Sequence, residues 1–234
     1  MEKDKDMIRY RIMAVAAKRL ARREFAQVRL SDISADLRVD RSVVKQYFDT
    51  MEDLITAIHA TFLQGMEEIL RAFVQGIFVP AVTSEELQIR EDRLHFSTRQ
   101  GAVVFSDALI DYLEAIFDYL LVRCHECSLF VQDSFASGAR HGCIEELINM
   151  FLPAAKNPLC KNAKVILKIQ ASHKAQACFV QTNVLPILGY VLFKDSFEEL
   201  FPHSVEIHKK EILDDIRANN ARYMIGQDIF FEIK

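Results

Sequence analysis

The chain has 234 residues, half of them apolar, which is enough for a full hydrophobic core in one or two domains. No run of 18 or more apolar residues lacks a polar interruption, so the sequence predicts no membrane-spanning helix. The net charge is −4, which alone argues against a nucleic-acid partner. The first residues alternate in charge without an apolar stretch, so we expect no signal peptide and a cytoplasmic protein.

The charge is divided unevenly along the chain. Residues 1–50 contain 12 Lys and Arg against 8 Asp and Glu, a net charge of +4, and the remaining residues carry −8. A basic head joined to an acidic body is typical of a DNA-binding head whose companion domain stays away from the phosphates. Signatures of nucleotide binding, hydrolysis and metalloprotease activity are missing, so the sequence predicts no enzyme, no cofactor and no bound metal.

The first predicted helix runs over about 6–23, and two short helices follow it. Leu30, Ile33 and Leu37 recur at the spacing of one helix face, and Val39, Val43 and Phe48 form a second apolar set. The connection is only Arg38-Val39-Asp40, with Asp40 a suitable N-cap. So tight a turn indicates a helix-turn-helix, whose second helix can enter a DNA major groove. Thr50 and Asp53 fit a capping box that starts the fourth helix.

From Ile12 to Leu54 the chain resembles the DNA-binding domain of TetR-type transcriptional regulators. The matching residues are Ile12, Val15, Ala16, Leu20, Phe25, Asp32-Ile33-Ser34, Val39, Tyr47-Phe48 and Glu52-Asp53-Leu54. The resemblance implies an all-α fold with a helix-turn-helix head over 1–50, a connector helix over 51–80 and an effector-binding, dimerising body over 81–234. It also implies a homodimer on a palindromic operator in double-stranded DNA, released by a small apolar or aromatic effector.

Several residues depart from the pattern of this family. Glu24 and Arg38 stand where the family usually has glycine, at positions that follow helix ends. Arg29 replaces a threonine cap, Lys45 a tyrosine and Met51 a lysine. These changes leave open a sensor or interaction module that has this fold and does not bind DNA.

The second short helix carries the side chains suited to reading DNA. Arg41 can bind guanine and Gln46 adenine, each in bidentate fashion, while Lys45 and Tyr47 can reach phosphates. The predicted DNA-binding residues are Ser31, Arg41, Ser42, Val43, Lys45, Gln46, Tyr47 and Thr50. The alternative is that they form an ordinary solvated helix face.

The rest of the chain is predicted to be helical. The predicted helices span Met51 to about Phe78, Thr83 or Ser84 to about Arg99, Val103 to Cys124, Cys143 to Phe151, about 163–193 with a kink at Pro186, a short helix capped by Ser196 and Glu199, and 204–222. Gly101 is expected to interrupt the helical path between two of these helices, and residues 128–137 are expected to form a loop. By the resemblance, 163–193 and 204–222 form the dimer interface.

Two further groups of residues are candidates for chemistry in the body. Aromatic residues that could line an effector pocket, or simply fill the core, are Phe105, Tyr112, Phe117, Phe151, Phe179 and Tyr190. Cys124 and Cys127, with His141 and Cys143 downstream, have a spacing that permits a zinc site or a redox-active thiol pair. The competing interpretation is that both cysteines are small core residues near a helix end.

Overall fold

The computed structural model describes residues 2–21, 28–90, 93–135 and 177–223. Its fold is mostly helical, in agreement with the predicted all-α class, and the described residues include one two-stranded antiparallel sheet. The elements are α1 (Glu2–Leu20), α2 (Leu30–Leu37), α3 (Arg41–Lys45), α4 (Met51–Phe73), α5 (Val79–Thr83), β1 (Leu87–Arg90), β2 (Arg93–Phe96), α6 (Arg99–Val122), α7 (Cys124–Phe135), α8 (Leu185–Leu192), α9 (Lys194–Leu200) and α10 (Val205–Tyr223).

The chain divides into two compact units. The first unit comprises Met1–Gly65 and Arg123–Ile144, and the second comprises Met66–Val122 and Glu145–Lys234. This division differs from the boundaries that the sequence suggested, because α7 joins the N-terminal helices instead of the body.

The first unit is built around one apolar cluster. Ile12, Ala16 and Leu20 recur every four residues on α1, and all three side chains are buried. They meet the buried faces of the next helices, to which Leu30, Ile33, Leu37, Val44, Phe48, Leu54, Ile55, Ile58 and Leu129 contribute. Each fully buried aliphatic side chain contributes roughly 1.5–3 kcal/mol, so this cluster holds the short helices α2 and α3 in place.

The helical path continues past Phe78, the predicted end of the connector helix. After α4 the backbone makes a π-turn over Val74–Phe78, and α5 follows directly. Pro80 lies in the first turn of α5, where a missing backbone N–H leaves no helical hydrogen bond unmade. Residues Met51–Phe78 are thus helical, close to the prediction, and the helical path extends beyond them to Thr83.

A β-hairpin occupies the segment where a helix from Thr83 or Ser84 to Arg99 was predicted. β1 and β2 pair in antiparallel register, with Leu87 opposite Phe96. Glu85 just before β1 has a φ of 60°, a left-handed conformation that ends the helical path. Leu87 is buried, so the strand has an apolar anchor, and the helix prediction for this segment was wrong.

The helix α6 covers most of the predicted helix Val103 to Cys124, and a second helix, α7, follows where a loop was predicted. Gly101 lies inside α6 instead of interrupting it. Only Arg123 separates α6 from α7, and α7 covers most of the segment 128–137 that was expected to be a loop. Cys127, Leu129 and Phe130 on α7 are buried. Their burial stabilises a helix that the local sequence favours only weakly.

The C-terminal part of the second unit is helical from Ala177. A π-turn over Val180–Val184 leads into α8, which has Pro186 in its first turn. The chain then bends by 80° between Ala177–Leu192 and α9. The predicted short helix begins at Lys194, two residues before Ser196, and the last helix has nearly the predicted bounds. The first part of the predicted helix 163–193 and the helix Cys143 to Phe151 lie outside the described residues.

No single described helix combines the length and apolar character that crossing a membrane requires. The bent pair Ala177–Leu192 and Lys194–Leu200 meets both conditions when its two helices are taken together.

Candidate nucleic-acid interface

The turn between α2 and α3 is fixed by a left-handed residue. Arg38 has φ 56° and ψ 42°, and its N–H donates to the Ala35 carbonyl at 3.1 Å. The next N–H, from Val39, reaches back to the Ser34 carbonyl at 3.0 Å. This pair of bonds satisfies carbonyls at the end of α2, in a conformation for which glycine is the usual residue. Arg38 therefore carries backbone strain of about 1 kcal/mol.

An aspartate caps the start of α3, as the sequence predicted. The Asp40 carboxylate accepts a hydrogen bond from the Ser42 N–H at 2.8 Å. Hydrogen bonds from the Ser42 side chain and backbone lower the pKa of Asp40 below its ordinary value, because they favour the charged form. The cap orients the first turn of α3, which carries Arg41 and Ser42.

The helix α3 has a buried side and an outward polar side. Val44 is completely buried, and Phe48 just beyond the helix is also in the core. Of the predicted DNA-binding residues, six are exposed and two are half-buried. The exposed residues are Ser31, Arg41, Ser42, Lys45, Gln46 and Thr50, and the half-buried ones are Val43 and Tyr47. The arrangement leaves two cations and an amide available to a ligand on one short element.

The next helix begins with a reciprocal cap. The Thr50 N–H donates to Asp53 Oδ2 at 3.0 Å, and the Asp53 N–H donates to Thr50 Oγ1 at 3.1 Å. Met51, at the position where the resembling family has lysine, is half-buried and packs against the core of the first unit together with Tyr47. Met51 thus contributes apolar packing at the position where the resembling family has a cation.

Basic side chains on α1 have different surroundings. Arg19 donates to Asp36 and lies 4.0 Å from Asp32, and the hydrogen bond to Asp36 is the main cause of its raised pKa. Arg9 lies over the Phe48 ring, 5.5 Å from its centroid, and keeps its charge at the surface. Arg19 therefore stabilises the contact of α1 with α2, whereas Arg9 remains accessible to an anion.

The predicted effector residues lie mainly in the core of the second unit. Tyr112 stacks on Phe73 at 4.8 Å between centroids, and Phe105 contacts the same ring at 5.9 Å. Phe117 and Tyr190 form a separate edge-to-face pair at 5.6 Å. Phe179 is half-buried, and Phe151 lies outside the described residues.

A cavity of about 320 Å³ lies in the second unit, and of the five predicted effector residues that the structure describes it is lined by Phe105 alone. The other lining residues include Gly76, Ile77, Glu86, Phe96 and Gln100, which sequence reasoning missed. The β-hairpin brings these residues together, and its segment was predicted to be a helix.

The two cysteines of the Cys124–Cys127 pair differ in environment. Cys127 is fully buried, and its burial, with smaller effects of Cys124 and Glu126, raises the pKa of its thiol to about 12. Cys124 is half-buried, with its Sγ atom 4.0 Å from His125 Nδ1. Among the described residues no group of three or more His, Cys, Asp and Glu could hold a metal ion, and His141 and Cys143 lie outside them. This geometry favours the core interpretation of Cys127.

A buried acid–histidine contact was missed by the sequence reasoning. Asp133 is completely buried, and its Oδ2 lies 3.4 Å from His59 Nε2. The His59 ring also meets the edge of Phe130 at 4.9 Å between centroids. The contact joins α4 to α7 within the first unit. Since Asp133 fell in a predicted loop, its burial was not foreseeable from its position.

A scan against protein-family models and a search of curated protein sequences both give no match to this chain. The resemblance to TetR-type regulators accordingly rests on the residue pattern between Ile12 and Leu54.

Proposed function

We propose that this chain is a TetR-like DNA-binding transcriptional regulator, acting as a repressor that a small effector releases from its operator. The observation that carries the proposal is the capped helix α3, with Val44 held in the core and Arg41, Lys45 and Gln46 exposed. A recognition helix needs this combination of a fixed inner side and a free polar outer side.

The chemistry of the exposed side chains suits a duplex. Arg41 in the first turn of α3 can donate two hydrogen bonds to guanine O6 and N7, and Gln46 can pair with the N6 and N7 atoms of adenine. Lys45 supplies a charge for phosphate, and the half-buried Tyr47 presents a hydroxyl near the same surface. The net charge of +4 on residues 1–50 supports the same assignment.

A homodimer is supported by apolar side chains that the second unit exposes. Phe193, Leu200 and Phe201 are each more than half exposed, at 61%, 72% and 54%. Apolar side chains of this size in one segment mark a surface suited to another protein chain. Two heads related by a two-fold axis would read half-sites about 34–36 Å apart in a palindromic operator.

Regulation would be a shift between two conformational populations. The chain passes from α6 in the second unit to α7 in the first through the single residue Arg123. An effector bound at the first turns of α6 would favour one orientation of that helix. It can release DNA only to the extent that its affinity differs between the two states.

Selection of DNA fragments by the purified protein, followed by a salt titration on the best binder, tests this function. We expect an enriched palindrome and a steep fall of log K with log salt. Arg41→Ala should relax base preference at one position and cost about 1–3 kcal/mol of binding, whereas the matched control Arg99→Ala should not. Lys45→Ala should reduce the salt slope by about one relative to Lys210→Ala.

The second candidate function is an interaction module that has the same fold and does not bind DNA. The half-buried packing of Met51 in place of a cation favours it, as do the exposed aromatic residues Phe193 and Phe201. If no fragment is enriched and binding is weak even at low salt, the regulator proposal is wrong and this second function takes its place.

A further inference from the structure

The cavity in the second unit, which we call the hairpin cavity, combines apolar walls with one carboxylate. Its apolar residues include Ile77, Pro80, Phe96, Val104 and Phe105, and its volume is about 320 Å³. The Phe96 and Phe105 rings lie in contact, with centroids 5.4 Å apart. A volume near this value is at the lower end of the range for small-molecule sites.

Glu86 is held at the wall of this cavity by the first turn of α6. The hydroxyl of Thr98 accepts a hydrogen bond from the Gly101 N–H at 3.0 Å and lies 3.4 Å from Glu86 Oε1. The carboxylate rests directly on Gly101, since a Cβ at that position would lie 2.2 Å from Oε1. The N-terminus of the 24-residue helix α6 stabilises a negative charge here.

Among the residues whose side chains the structure describes, none supplies a cation to the Glu86 carboxylate. The Thr98 hydroxyl is the only one of those side chains within hydrogen-bonding distance of Glu86. A carboxylate beside aromatic rings attracts a cation through its charge and through the faces of the rings. The charge of the cavity wall is thus complementary to a positive ligand with an apolar part.

The opposite wall is formed by a π-turn. Gly76 and Ile77 belong to the segment Val74–Phe78, and π-turns inside α-helices occur frequently at functional sites. A Cβ added to Gly76 would meet no atom within 4 Å. The space beside Gly76 is therefore open, and a methyl group fits there without a clash.

We propose that the hairpin cavity binds an organic cation, with its ammonium group beside Glu86 and its aromatic or aliphatic part against Phe96 and Phe105. This cation-binding proposal does not rest on the proposed DNA-binding function. The further statement that this cation is the effector rests on the proposed function.

Titration of the full-length chain with three naphthalene compounds of different charge tests the proposal. The probes are 1-naphthylmethylammonium, its neutral analogue 1-naphthylmethanol, and 1-naphthoate. The chain contains no Trp, so the naphthalene fluorescence can be followed with little interference from the protein. We expect the cation to bind about tenfold more tightly than the alcohol, and the anion to bind most weakly.

Four variants locate the site. Glu86→Gln should lower the affinity for the cation about tenfold, to that of the alcohol, while its matched control Glu85→Gln should leave both affinities unchanged. Gly101→Ala retains the charge of Glu86 but should weaken the preference for the cation, because the new methyl group displaces the carboxylate. Gly76→Leu places a larger side chain at a residue that lines the cavity and should weaken binding of every probe. Circular dichroism establishes that each variant is folded.

Three results would overturn the proposal. Equal affinity for the cation and the alcohol would show that Glu86 does not select charge, and unchanged binding by Gly76→Leu would place the probe elsewhere. Failure of all probes to bind would mean that another segment of the chain, or a second copy, fills the cavity. A chain that binds the cation and no DNA would contradict the proposed function alone, and cation binding without any effect on operator affinity would contradict only the effector role.

Discussion

Thr50 and Asp53 form three hydrogen bonds with each other at the start of α4. Besides the two reciprocal backbone bonds, the Thr50 hydroxyl donates to Asp53 Oδ2 at 2.7 Å. We expect Thr50→Ala to lower the free energy of unfolding by about 1 kcal/mol, because the first turn of α4 loses its side-chain cap. Thr50→Ser should retain most of the stability.

Urea denaturation followed by circular dichroism measures this loss. Thr50 was also predicted to contact DNA, so operator affinity should be compared for the same variants. If Thr50→Ala weakened DNA binding with no change in stability, the residue would serve the interface and not the cap.

The stabilising effect of the Asp40 cap on α3 should decrease in acid. Hydrogen bonds from Ser42 lower the pKa of Asp40 in the folded state, so its stabilising effect is complete above the unfolded pKa. The effect is lost as the pH falls through the lowered folded-state pKa. We expect the difference in stability between the natural chain and Asp40→Asn to shrink over that acidic range, which denaturation at a series of pH values measures. A difference that did not change with pH would contradict this account.

A buried pair of amide side chains should contribute to the stability of the second unit. Asn220 Nδ2 donates to Asn183 Oδ1 at 2.6 Å, and Asn183 Nδ2 donates in turn to the Phe179 carbonyl at 3.0 Å. Asn220→Leu removes the donor and leaves a buried amide oxygen without a partner, at a cost of about 1–3 kcal/mol. Asn219→Leu, at an exposed position of the same helix, is the matched control.

The double variant Asn183→Leu with Asn220→Leu distinguishes the loss of the hydrogen bond from poor packing of leucine at either position. If the pair acts through hydrogen bonding, the double variant should lose less stability than the sum of the two single variants. Additive losses measured by denaturation would show that the two side chains act independently.

The two cysteines on α7 should differ in reactivity. With its pKa raised by burial to about 12, the Cys127 thiol is almost entirely protonated at pH 8 and forms little reactive thiolate. We expect iodoacetamide to label Cys124 faster than Cys127 in the folded protein, with the two rates converging in urea. Equal native rates, or zinc in the purified protein, would revive the metal or thiol sensor.

The parts of the fold that could be predicted from the sequence are those fixed by local chemistry. The caps at Asp40 and Thr50 depend on side chains that bond to backbone groups two or three residues away. Likewise the spacing of Leu30, Ile33 and Leu37 directly gives the buried side of α2.

The parts that were missed depend on residues distant in sequence. Gly101 looks like a helix breaker, yet it lies within α6, where the absence of a side chain makes room for the carboxylate of Glu86. The segment from Ser128 onward has weak helix propensity, and its helix is stabilised by burial of Leu129 and Phe130 in the first unit. The hairpin cavity could not be anticipated, because its walls come from a π-turn, a hairpin and a helix start.

The π-turn over Val74–Phe78 has a consequence for engineering by deletion. A π-turn holds one residue more than the α-helical turn it replaces, and each residue of an α-helix advances the side-chain direction by about 100°. Deleting the exposed Gln75 would let the backbone relax into continuous α-helix and leave the side chains after it near their present directions, because the π-turn already accommodates the extra residue. The buried Phe78 would then keep its contact with Phe105. A deletion in the regular turns of α4 would instead rotate everything after it by about 100°, so the π-turn is the place where this helical segment best tolerates the loss of one residue.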